Sequence, residues 1–160
     1  ELVKSVNSSV SDGQGGHLKL CDGIGMQSYI GGYGQQSGCM NDNDITAVKN
    51  AIEKFASIGV EVHVTELAVR NYERSDEREA EHGAFYKKLM QTYVDINKEA
   101  KAKGETGPIT SLSIWGLFDA PYLAETDYSY KMNGPYCGLF TELYQPKEAF
   151  KEVYKVLSGE

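Results

Sequence analysis

The apolar positions along this chain change period several times, and each change marks an element. At 44–59, Ile45, Val48, Ile52 and Phe55 recur at helical spacing, with Asp44 placed to cap the start and Gly59 to end it. From 60 to 67 the period drops to two. Val60, Val62, Val64 and Glu66 share one side of the predicted strand, and Glu61, His63 and Thr65 the other. Helical spacing returns near 76–103, with Ser75 as cap, a stripe of Phe85, Leu89, Tyr93, Ile96 and Ala100, and Gly104 as the stop. Residues 109–118, ITSLSIWGLF, form a third predicted strand. Pro146 opens a last helix whose apolar face holds Phe150, Val153 and Leu157. Upstream, Leu2, Val3, Val6 and Val10 suggest the end of a helix. Within 20–30, Ile24, Met26 and Ser28 alternate with Gly25, Gln27 and Tyr29, as in a strand. Connectors rich in Gly, Ser and Asn fill 11–19 and 31–43, and a long loop with Pro121, Asn133, Gly134 and Pro135 follows the third strand.

The order helix, strand, helix, strand, helix, strand, helix predicts an α/β fold with a parallel sheet and right-handed crossovers. Three such units leave two sheet edges open, so the isolated chain is expected to be poorly soluble or oligomeric. Charge then removes one class of partner. With 16 basic against 23 acidic residues and a net charge of -7, the chain lacks the basic surface that nucleic acid requires. No apolar run approaches the roughly 20 residues that span a bilayer, so no membrane partner is expected, and no signal peptide is visible. Cys21, Cys39 and Cys137 lack CxxC spacing, which with only three histidines argues against a zinc site. One disulfide with a free thiol and three reduced thiols both remain open.

In parallel α/β folds the chemistry gathers at the C-terminal ends of the strands. Gln27 and Tyr29 lie there after the first strand, Glu66 after the second, and Trp115 with Asp119 after the third. Glu66 is the sharpest of these, because a carboxylate pointing into a barrel mouth must be paired or functional. It can be one of the two carboxyl groups that a retaining glycosidase requires. Asp119 is either the second or a turn cap, and Asp22 is a turn residue. Trp115, the only Trp, is either core or a platform for a sugar face. Tyr29, Tyr33, Tyr122, Tyr128, Tyr130 and Tyr136 are among eleven tyrosines and fall at strand ends or in the loops that follow. By parity His63 should face the outer helices, while His17 and His82 fall among solvent positions.

Four segments together resemble family-10 xylanases. DGIGMQSYI is similar to the sixth barrel strand, VEVHVTEL to the seventh with its TEL motif, SIWGLFD to the eighth, and GLFTELYQPKEAF to the closing segment. The resemblance implies the C-terminal portion, about strands 6–8 and their helices, of a (β/α)8 barrel, with residues 1–160 forming part of one glycosidase domain. A complete barrel needs roughly 250 residues. The first five strands, and the acid/base Glu on the fourth, are therefore expected outside this chain, which alone is expected to be inactive. Glu66 would be the nucleophile, and Gln27, Tyr29, Trp115 and Tyr122 the substrate-binding residues, with Trp115 flooring the subsite next to the cut. The implied reaction is retaining hydrolysis of β-1,4-xylosidic bonds in xylan by a secreted enzyme without metal or organic cofactor. A related retaining β-glycanase and a non-catalytic xylan-binding fragment are the alternatives. Three positions depart from the family pattern: Tyr29 replaces a His, Ala68 an Asp, and Tyr122 stands where a second Trp is usual. A phenol at Tyr29 can still donate to Glu66.

Overall fold

The computed structural model describes residues 1–31 and 40–160; Tyr33 and Cys39 lie outside them. In chain order the elements are α1 (Leu2–Asn7), β1 (Gly23–Ile30), α2 (Asp42–Ala56), β2 (Glu61–Val69), α3 (Asp76–Ala102), β3 (Ile109–Ile114), a 3-10 turn (Pro121–Leu123), α4 (Tyr128–Asn133) and α5 (Glu148–Ser158). The three strands pair in parallel in the order β1-β2-β3, as the alternation of helices and strands predicts. Boundaries move by a few residues. Asn41, not Asp44, caps α2, because its side chain accepts from Asn43 N at 2.9 Å and Asp44 N at 3.2 Å. Ser75 caps α3 as expected, accepting from Arg78 N at 3.2 Å. β3 stops at Ile114, four residues short of the expected end, and the loop after it contains two short helical turns.

Helices cover one face of the sheet. Val62, Val64, Leu67 and Val69 from β2 meet Phe85, Leu89 and Met90 from α3, and Ala149 and Val153 from α5 join the same core. Burying each Val, Leu, Phe or Met among these stabilises the fold by about 1.5–3 kcal/mol before chain entropy is counted. Asn97 of α3 locks the start of β3, donating to Ile109 O at 2.8 Å and accepting from Ile109 N at 3.0 Å. The other face presents Gly25 and Gln27 of β1, Glu61, His63 and Thr65 of β2, and Ser111 and Ser113 of β3, all exposed.

This arrangement corrects the predicted parity of β2. The valines point at the helices, and Glu66 does not share their side. Pairing with β1 jumps from Met26↔Val64 to Gln27↔Glu66, so Thr65 is an extra residue in β2. Such a bulge shifts the alternation by one and leaves Thr65 and Glu66 both on the open face. His63 is likewise on the open face, half-exposed and 3.6 Å from Glu61, rather than against the helices. His82 is fully buried, not solvated, because its helix face packs on the end of β2.

Candidate active site

Glu66 reaches the C-terminal end of the sheet beside two side chains from β1. Its Oε1 accepts from Gln27 Nε2 at 3.2 Å, and its Oε2 accepts from the Tyr29 hydroxyl. Gln27 is the direct Cα partner of Glu66, and the period of two brings Tyr29 to the same face one step on. Both carboxylate oxygens are thus aimed by neighbours on an adjacent strand. The Tyr29 phenol is pushed up to about 12, first by burial and then by its bond to Glu66 and that group's negative charge. It therefore keeps its proton at neutral pH and stays a donor.

Trp115 follows β3 immediately. Its backbone N–H donates to Leu67 O at 2.8 Å, which sets Trp115 against the residue that follows Glu66 on the neighbouring strand. The side chain is 40% exposed and follows Ser111 and Ser113 in parity, so it belongs to the open face and not to the core. Tyr122 sits in the 3-10 turn and is 75% exposed; among the described residues it makes no hydrogen bond with Glu66, Gln27 or Tyr29. The structure thus assembles Gln27, Tyr29 and Glu66 into one cluster, carries Trp115 at the end of the neighbouring strand, and does not join Tyr122 to them by any hydrogen bond among the described residues.

Asp119 does not join this cluster. It is 2% exposed and accepts from Lys147 Nζ at 2.9 Å and from Gly138 N at 3.1 Å. Burial raises its carboxyl to about 6, opposed chiefly by the Lys147 charge. Lys147, also buried, donates to Tyr136 O at 2.9 Å and lies 3.1 Å from Glu79. This network clasps the loop after β3 to α3 and the start of α5. Asp22 is exposed and paired with Lys19, as a turn residue would be. Cys21 and Cys137 are free thiols. Among the described residues no three His, Cys, Asp or Glu converge to hold a metal ion, and no helix is long and apolar enough to cross a membrane.

Sequence patterning passed over Arg70. It follows β2 directly and keeps the parity of Glu66 and Ala68. Only 2% exposed, its guanidinium donates to Tyr29 O and Met132 O, each at 3.0 Å, and also to Gly31 O. The one available signal was its place, two and four residues after Ala68 and Glu66 on a period of two.

Helices on one face of a parallel sheet, with a held carboxylate and an exposed indole at the strand ends, fit a segment of a (β/α)8-type fold. Comparison with known proteins makes that specific. The Glycosyl hydrolase family 10 profile matches residues 3–156, and the chain belongs to that family. Endo-1,4-beta-xylanase B of Butyrivibrio fibrisolvens is 32% identical over 142 residues, which is 86% of this chain and 19% of that protein. A Clostridium thermocellum endo-1,4-beta-D-xylanase 10B structure, comprising CBM22 and GH10 modules with xylohexaose, is 28% identical with a TM-score of 0.59. The match covers 82% of this chain and 22% of that one. Native xylanase 10B of Thermotoga maritima aligns with a TM-score of 0.63 over 99% of this chain and 41% of its own, at 20% identity. The chain thus spans less than half the length of these relatives, and its fold is the C-terminal portion of a family-10 barrel. Tyr29 and Ala68 are Cα partners across β1 and β2.

Proposed function

We propose that this chain carries the nucleophile side of a retaining endo-β-1,4-xylanase site. Glu66 attacks the anomeric carbon and forms a glycosyl-enzyme. An acid/base carboxyl on the barrel segment outside this chain protonates the leaving oxygen, then activates the water that releases the sugar. Two inversions at one carbon retain its configuration. Gln27 donates to Oε1 of Glu66 next to the sugar, Trp115 floors the adjoining subsite with its π-face, and Tyr29 and Tyr122 complete the substrate-binding set. Xylan or its oligosaccharides are the substrate class, supported by relatives named as endo-xylanases and by the relative bound to xylohexaose. A polymeric substrate of that size suits an enzyme that works outside the cell.

The observation that carries this reading is a carboxylate with a donor on each oxygen at the C-terminal ends of parallel strands. Reducing-sugar release from xylan tests it, measured for the barrel assembled from this chain and its preceding segment, beside the Glu66→Gln variant. Activity is expected in the first and not in the second. Binding of xylo-oligosaccharide without turnover, unchanged in Glu66→Gln, is the result a non-catalytic xylan-binding segment would give.

A further inference from the structure

Arg70 connects the support of Glu66 to the loop that follows β3. Among the described residues its three carbonyl acceptors come from two separate places: Tyr29 and Gly31 at the end of β1, and Met132 in α4. Neighbouring bonds close the same seam. Asn71 N donates to Asn133 O at 2.9 Å, Tyr136 N donates to Asn71 O at 3.1 Å, and the Tyr72 hydroxyl donates to Met132 O. The seam has no slack at Gly134, whose φ is +84° and where an added Cβ would overlap Asn71 O. Tyr29 is consequently fixed at two points, its carbonyl by Arg70 and its hydroxyl on Glu66.

We propose that Arg70 is a positioning residue for Glu66 that acts through Tyr29, coupling the nucleophile's orientation to the placement of α4 and the tyrosine-bearing loop after β3. The inference rests on Glu66 being the nucleophile. A planar guanidinium suits this task because its rigid fork serves several carbonyls in different directions at once. The single ammonium of a lysine is a point donor and does not. The coupling matters because a misplacement of about 1 Å at the reacting atom lowers rate by roughly a hundredfold.

The test is a double-substitution cycle in the assembled barrel, with rates expressed per folded molecule. Arg70→Lys and Tyr29→Phe are each expected to lower kcat about tenfold to a hundredfold while KM moves less than about threefold. The double variant is expected to be no slower than the slower single one, because Arg70 acts through the phenol. Tyr72→Phe offers a milder perturbation from the α4 side; a loss of about threefold is expected, and it should vanish in the Tyr29→Phe background. Multiplying losses, or an Arg70→Lys enzyme with lowered melting temperature and unchanged kcat, would overturn the proposal. Glu66→Gln separates the two levels. If it retains activity, the nucleophile reading fails and this inference with it. If it is inactive while Arg70→Lys is unimpaired, only this inference fails.

Discussion

A single buried imidazole sets part of the acid limit of this fold. His82 lies in α3 with no exposed surface. Its Nε2 meets Val69 O at 3.1 Å, and its ring packs edge-on against Tyr86 with centroids 5.0 Å apart. A carbonyl can only accept, so Nε2 carries the proton, and Nδ1 is buried without a partner among the described residues. Burial, and then the positive charge of Lys147, push the imidazole down to about 3. In the unfolded chain it titrates near 6.5. The sign follows directly. Above about pH 6.5 both states are neutral and the stability is fully present; below it the unfolded chain takes a proton that the folded chain refuses. Each pH unit then removes about 1.4 kcal/mol until the folded value is reached, so about 2 kcal/mol is lost by about pH 5. Urea unfolding of the wild type and His82→Gln at about pH 7.5 and about pH 5 measures this. Glutamine does not titrate, so the wild type's advantage over the variant should shrink by about 2 kcal/mol at the lower pH. Two stability curves that stay parallel across that interval would refute the reasoning.

Other expectations follow from the same contacts. Lys147→Met should destabilise the fold by about 3–5 kcal/mol in urea unfolding, because it strands the Asp119 carboxylate in the interior. Lys147→Met/Asp119→Leu should recover much of that loss. Gly134→Ala should lower the melting temperature, since the new methyl meets Asn71 O and the backbone holds a positive φ. Trp115→Ala should weaken xylo-oligosaccharide binding about fivefold or more in calorimetry, corresponding to the loss of roughly 1 kcal/mol of aromatic contact. Light scattering should find the isolated chain associated, because β1 and β3 each present an open edge; a stable monodisperse monomer would contradict this.

Much of the architecture was legible because the apolar period is local. The stripe from Phe85 to Ile96 and the alternation at 60–64 each state their element without help from the rest of the chain. The departures came from effects that period does not encode. One inserted residue at Thr65 reversed the faces of β2, so the valines and Glu66 part company. His82 falls among charged helix residues, yet the end of β2 lands on it. Asp119 looked like a site residue by position alone, and Lys147, 28 residues later, claims it. Arg70 offered only a strand-end position, because its acceptors are backbone carbonyls from segments up to 62 residues away. In contrast, the cluster of Gln27, Tyr29 and Glu66 was reachable from strand ends and family resemblance, and the register of β1 on β2 brings all three together.

The most direct measurement of the central claim is covalent trapping. The assembled barrel is incubated with a fluorinated aryl xylobioside, which forms the glycosyl-enzyme but releases it slowly, and is then digested for mass spectrometry. The account predicts one glycosyl group on the peptide that holds Glu66, and none in Glu66→Gln. An active enzyme with its label on a different carboxylate, or with no label at all, would contradict it.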